Sequence, residues 1–217
     1  MIFRAAILLA GAALGAEPLV TGFERFHAAK PTAEGGRLLY NELGCVNCHG
    51  GATGLPALRG PALATVNRQL FPDIREDMFI SMAYCILDES NGKAVIARAG
   101  HDPALLYREE TGKVELLRSP GLALGVDEGD VFERVTKDQE IELHQGDCLL
   151  FYTDGVREAV NSDDEEFGME RMSECFRNTA PLGAEAVLTR MQEELHQFTG
   201  EGPQMDDITL VAIEKKK

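Results

Sequence analysis

The sequence predicts an α+β fold: an antiparallel β-sheet covered by helices and preceded by a short helical segment. Three observations predict it. Hairpin signals recur between residues 77 and 152, the amphipathic helical patterns of the acidic part follow them after residue 155, and a strand-like run returns at 208–213. Repeated hairpins make antiparallel sheets, and helices that follow the strands cover a sheet face.

The elements follow in chain order. Arg4 precedes an apolar run from Ala5 to Leu14, and the small residues of Leu14-Gly15-Ala16 precede Glu17-Pro18. This is the layout of a secretory signal peptide over residues 1–16, with a permanent N-terminal anchor as the alternative. No other segment approaches transmembrane length. Ala33 to Leu43 reads as a helix with Leu38, Leu39 and Leu43 on one side and a stop at Gly44. Asp77 to Asp88 reads as a long strand, residues 89–93 as a turn with Asn91-Gly92 at its tip, and Lys93 to Ala99 as the returning strand. In that reading Asp88 is the first turn residue. A second hairpin spans Ala104–Arg108 and Lys113–Leu117. Val131 to Thr136 and Gln139 to Leu143 read as short strands, and Gly146-Asp147 as the turn before the apolar strand Cys148 to Tyr152. Helices are expected at Gly155 to Val160, Met169 to Asn178 and Ala184 to Phe198. The last of these carries Val187, Leu188, Met191, Leu195 and Phe198 on one face.

Composition narrows the function classes. The 217 residues are 44% hydrophobic, enough for a real core, and the net charge is −15. Residues 17–70 hold five basic and four acidic side chains, whereas 71–217 hold fifteen and thirty-two. Nucleic acid is excluded as a partner of so acidic a part. The five cysteines do not form a disulfide framework. Cys85 and Cys148 lie in apolar runs, Cys175 falls on a helix face with Met172 and Phe176, and Cys45 and Cys48 stand apart.

Cys45-Val46-Asn47-Cys48-His49 has the spacing of covalent c-type haem attachment, with His49 as an axial iron ligand. A zinc site lacks a second ligand pair at suitable spacing, and a thioredoxin-type dithiol would reverse the order of strand and helix. Residues 36–50 and Gly54 to Pro61 resemble the first helix and haem loop of class I cytochromes c. That resemblance implies haem c bound through Cys45, Cys48 and His49, an electron-transfer partner, and export to the periplasm.

A second chemistry centres on Tyr152-Thr153-Asp154-Gly155-Val156, where a buried strand delivers a carboxylate into a glycine turn. Asp206-Asp207 opens the last strand in the same way. Two strand ends bearing carboxylates suit a hard divalent cation. Around them stand Asn67-Arg68-Gln69-Leu70, Met78 to Tyr84, Ala99-Gly100-His101-Asp102-Pro103, Pro120 to Gly125, Gly146 to Ala159, Phe167-Gly168 and Asp206-Asp207-Ile208-Thr209. In order and spacing this series resembles the C-terminal two thirds of the SpoIIE and RsbU-type phosphatases, relatives of protein phosphatase 2C, over residues 63–214.

The resemblance implies a β-sandwich flanked by helices, two manganese or magnesium ions at one end, and removal of phosphate from serine or threonine of a regulatory protein of the anti-sigma-antagonist type. It implies that Asp154 and Asp206 are catalytic metal ligands, that Gly155 allows the turn facing the ions, and that Asp207 is a neighbouring acid. Glu158 and Asn161 match a polar helix edge. His101 matches a position open to a general acid or to a histidine that orients a turn, and Asp102 stands where the family usually has Asn. The family also implies an early Gly-Asp-x-x-Asp strand and an Asp-Val-x-Gly-His-Gly turn, but the first aspartate of this chain is Asp73. The expected organisation is therefore a signal peptide (1–16), a cytochrome c-like fragment (17–62) and an incomplete phosphatase portion (63–217). The corresponding readings are a cytoplasmic phosphatase-family domain, an exported cytochrome, and a non-catalytic binding module or chimeric coding sequence.

Overall fold

The computed structural model describes residues 6–11 and 61–216, apart from 76, 89, 90, 201 and 203. The expected Ala33–Leu43 helix and the haem motif Cys45, Cys48 and His49 lie outside the described residues.

The strands are β1 (Ala6–Gly11), β2 (Ser81–Asp88), β3 (Lys93–Ala99), β4 (Ala104–Arg108), β5 (Lys113–Leu117), β6 (Gln139–Glu142), β7 (Cys148–Tyr152) and β8 (Leu210–Glu214). The helices are α1 (Pro61–Leu70), α2 (Asp130–Val135), α3 (Asp154–Arg157), α4 (Gly168–Thr179) and α5 (Ala184–Thr199). Two four-stranded antiparallel sheets form, in the orders β1-β2-β3-β6 and β5-β4-β7-β8.

Side-chain alternation explains the layering. Along β7, Cys148, Leu150 and Tyr152 join a core with Met172 and Phe176 of α4 and Val187, Met191 and Leu195 of α5. Leu149 and Phe151 face the other way, into a core shared with Ala83, Cys85, Ala94 and Ile96 of the first sheet. A strand covered on both faces has no polar side, so five apolar residues in a row are required there. The outer face of the first sheet carries Met82, Ala97 and Ala99 against Leu63 and Ala64 of α1 and Phe132 of α2. The order of layers is helices, sheet, sheet, helices, with each fully buried Leu contributing about 2 kcal/mol.

Four elements differ from the sequence expectation. The apolar run read as the core of a signal peptide contains an edge strand, with Ile7 opposite Cys85 and Leu9 opposite Ala83. An apolar six-residue stretch satisfies either role, and here the open edge of β2 takes it. Residues 130–135 form a helix rather than a strand. Asp127 Oδ1 accepts hydrogen bonds from the N–H groups of Gly129, Val131 and Phe132 at 2.9–3.0 Å and so satisfies the first turn. The strand expected from Asp77 begins at Ser81, and Ile80 is held only by a bridge to Leu124. Helix α3 ends after a single turn, because Phe167 N–H returns to Ala159 O and Val160 pairs with Glu166. The Asp88 reading stands: its carbonyl accepts Gly92 N–H at 2.8 Å in the hairpin turn, with Gly92 at φ +74°.

Candidate functional site

Five chain segments end at one end of the sandwich: the start of β2, the loop from β3 to β4, the end of β7, the turn of α3, and the approach to β8. Between them lies a cleft of about 650 Å³ whose walls include Ser81, His101, Asp102, Thr153, Asp154, Arg157, Asp206 and Asp207. The structure therefore brings together Asp154, Asp206 and Asp207, the acids that the sequence singled out. Asp88 lies at the other end of β2, about 23 Å away for seven residues of strand.

The contact between the two acidic loops is built from backbone. Thr153 N–H donates to Thr209 O at 3.1 Å, and Thr209 N–H donates to Thr153 Oγ1 at 2.8 Å. The Thr153 hydroxyl in turn donates to Asp207 O at 2.7 Å. Gly155 completes the joint. A Cβ at this position would lie 2.6 Å from Asp207 O and 3.2 Å from Asp206 C. This corrects the role expected of Gly155: it sits in the first turn of α3 without a positive φ, and glycine is needed there because another backbone lies against it. The expected turn remains, but its cause is steric.

His101 is 5% exposed and spans the gap between the sheets. Its Nε2 lies 3.1 Å from Tyr152 O and its Nδ1 lies 3.1 Å from Ser81 Oγ. A carbonyl can only accept, so Nε2 carries the proton, and the neutral ring accepts the Ser81 hydroxyl at Nδ1. Burial lowers the His101 pKa, outweighing the Tyr152 carbonyl and the charges of Asp102 and Asp154, which act to raise it. With both nitrogens engaged, His101 fits the orienting reading rather than the general acid. It pins the last carbonyl of β7 two residues before Asp154. The backbone carbonyl of His101 is itself held by Arg98 Nη1, and Arg98 Nε donates to Ser119 O at 2.9 Å.

Sequence reasoning gave no role to Arg157. Its Nε donates to Asp102 Oδ2 at 2.6 Å and its Nη2 to Glu158 Oε1 at 2.6 Å. The hydrogen bond to Asp102 is the main cause that raises the Arg157 pKa. This pair closes the loop after β3 onto α3, and no local signal marks it because the partners are 55 residues apart. Glu158 is thus an ion-pair partner. Asn161 shapes the following turn, its Oδ1 accepting N–H groups of Asp163 and Glu165 at 2.9 and 3.0 Å.

Five carboxylates and two guanidiniums line the cleft. Arg75 pairs with Asp77 and Arg157 with Asp102, leaving Asp154, Asp206 and Asp207 without an ion-pair partner among the described residues. Three unneutralised acids on facing loops suit hard oxygen coordination. However, no group of three or more His, Cys, Asp or Glu side chains is arranged to hold a metal ion among the described residues. The donors fit one magnesium or manganese ion reached by one or two carboxylates and completed by water and a phosphate. Among the described residues they do not supply the protein ligands of the two-ion centre implied by the resemblance. Among the described residues no helix is long and apolar enough to cross a membrane.

Comparisons with known proteins bear on this geometry. The family model of Stage II sporulation protein E (SpoIIE) matches residues 12–216. The match takes in the stretch 17–62 read from the sequence as cytochrome-like, so it is not confined to 63–214 and does not support a truncated domain. Protein IcfG of Synechocystis sp. is 33% identical over 137 residues, covering 63% of this chain and 20% of that protein. Phosphoserine phosphatase RsbU of Bacillus subtilis is 24% identical over 161 residues, covering 71% of this chain and 44% of that protein. The chain thus spans less than half the length of these curated relatives. Among solved structures, the PP2C phosphatase domain of SpoIIE from Bacillus subtilis aligns with TM-score 0.66 and 19% identity over 100% of this chain and 57% of its own. The RsbU and RsbW domains of a Mycobacterium tuberculosis protein align with TM-score 0.65 and 21% identity over 98% of this chain and 52% of theirs. These likenesses establish the fold, an α+β sandwich of the protein phosphatase 2C type.

Proposed function

Because the chain belongs to the SpoIIE family, we propose that it is a serine/threonine protein phosphatase domain acting on a phosphorylated regulatory protein. The observation that carries this reading is the packing of the Asp206-Asp207 backbone on Gly155, which places two acid-bearing strand ends around one cleft. Relatives in the comparison include a phosphoserine phosphatase, and the same substrate class is proposed here.

Asp154 and Asp206 would hold a manganese or magnesium ion, with Asp207 beside them. When bound, such an ion lowers the pKa of water and screens phosphoryl charge. The chain's own residues prepare the cleft. Thr153 locks the two acidic loops together through its hydroxyl, and Gly155 lets them touch. His101 fixes the end of β7 from its neutral ring, so that Asp154 keeps its position without a mobile proton nearby. The surplus of acids makes the cleft repel a phosphate dianion until a cation enters, which links substrate binding to metal binding.

The test is hydrolysis of p-nitrophenyl phosphate by the full chain with manganese, beside Asp154→Ala. A manganese-dependent rate at least one hundredfold above the variant is expected for a residue on which the metal depends. Equal rates in the two proteins would reduce the relationship to one of fold.

A second reading rests on Cys45-Val46-Asn47-Cys48-His49. Under it the N-terminal part attaches haem c, serves an electron-transfer partner and is exported. Expression with a haem-attachment system should then give a Soret band that survives denaturation, and its absence rejects that reading.

A further inference from the structure

We propose that Arg157 binds the phosphoryl group of the substrate and that Asp102 positions it for that contact. The proposal rests on the phosphatase reading above and names the group that meets the substrate's anion.

The cleft lining has two cations, and they are held differently. Arg75 is engaged by both oxygens of Asp77, with Nε to Oδ1 at 3.1 Å and Nη2 to Oδ2 at 2.7 Å. Its fork is filled by a carboxylate two residues away, and its side chain is 74% exposed. Arg157 is 33% exposed, and two different carboxylates each take one donor. A guanidinium has five N–H donors in a rigid fork, so three remain, including both on Nη1.

Arg157 also stands in the right place. It lies three residues after Asp154 in the single turn of α3, and such spacing sets two side chains next to each other on a helix. The acid that would hold the cation and the arginine that would hold the anion thus share one turn. Asp102 and Glu158 fix the guanidinium beforehand, which lowers the entropy lost when an anion binds. Asp102 comes from the loop after β3, whose His101 is tied to Tyr152, so the clamp and the acid share one support. Neutral His101 adds no cation to compete for the phosphate.

The experiment measures binding of inorganic phosphate to the full chain in the presence of magnesium, by calorimetry. Arg157→Gln should weaken binding about tenfold or more, the loss of a charge-assisted hydrogen bond. Arg157→Lys keeps the charge without the fork and should fall between the two; it also serves if the Gln variant folds poorly. Asp102→Ala should weaken binding, and Asp102→Asn, which keeps an acceptor for Nε, should restore it. Wild-type binding in both Arg157 variants, or no binding by the wild type, overturns the proposal. Phosphate binding that depends on Arg157 without any manganese-dependent hydrolysis would reject the phosphatase reading and leave this site standing. Hydrolysis with phosphate binding indifferent to Arg157 would reject this site alone.

Discussion

Gly155 and Asp207 meet backbone to backbone: a methyl group on residue 155 would stand 2.6 Å from the Asp207 carbonyl oxygen. Gly155→Ala must therefore push the two acidic loops apart. Overpacking of this kind costs about 1–3 kcal/mol, which for a chain of this size lowers Tm by about 3–10 °C. The distinguishing result is functional. Manganese-dependent hydrolysis should fall by more than the loss of folded protein explains, as checked by assay at a temperature where both proteins are folded.

Thr153 is 4% exposed and its hydroxyl both donates to Asp207 O and accepts from Thr209 N–H. Thr153→Val keeps the shape and removes both part-buried bonds, which the Asp207 carbonyl and Thr209 N–H make to this hydroxyl. Each such bond contributes about 0.5–1.5 kcal/mol. Urea unfolding should show that loss in Thr153→Val and recover most of it in Thr153→Ser.

His101 gives the fold a pH dependence. Burial lowers its folded pKa below the ordinary value of 6.5, so the unfolded chain takes up a proton first as pH falls. The contribution is fully present above about pH 6.5 and is lost below it, as pH approaches the lowered folded value. Wild-type Tm should decline through that window. In His101→Gln, where no ring titrates, this part of the decline should vanish, leaving a lower but flatter curve.

Asp147 anchors the turn before β7, far along the strand from the cleft. It is 1% exposed and accepts Arg108 Nη1 at 2.7 Å, Glu109 N–H at 3.0 Å and His144 N–H at 2.9 Å. Burial alone would raise its pKa, but these donors together outweigh burial and lower it. Asp147→Ala removes the acceptor of the Glu109 and His144 N–H groups, while Arg108 keeps the Glu142 carbonyl and Glu115. It should cost about 1–3 kcal/mol for each donor left unsatisfied in chemical denaturation, with activity per folded molecule unchanged.

The parts of this fold that were legible in the sequence are those written in local patterns. Five apolar residues ahead of Asp154 marked a strand buried on both faces, and Asn91-Gly92 marked a hairpin. Met172, Phe176, Val187, Met191 and Leu195 marked helix faces that do meet β7. Helix α2 was misread because Val131 and Phe132 favour strands, although Asp127 ahead of them carried the capping signal. Strand β1 was not anticipated, because an apolar leader and an edge strand share one composition. The acids of the site were legible because each flanks an apolar run, Asp154 just after β7 and Asp206-Asp207 just ahead of β8. Their supports were not: Ser81 and Tyr152 lie 20 and 51 residues from His101, and Asp102 lies 55 from Arg157. Such bonds exist only once the two sheets have stacked.

The central claim is that Asp154 and Asp206 reach one cation from facing loops. Manganese titration of the full chain, followed by the electron paramagnetic resonance of the free ion, tests it directly. Binding by the wild type that is lost in Asp154→Asn and again in Asp206→Asn, with Tm of the metal-free proteins unchanged, is the predicted result. Manganese affinity that is the same in all three proteins would contradict the account.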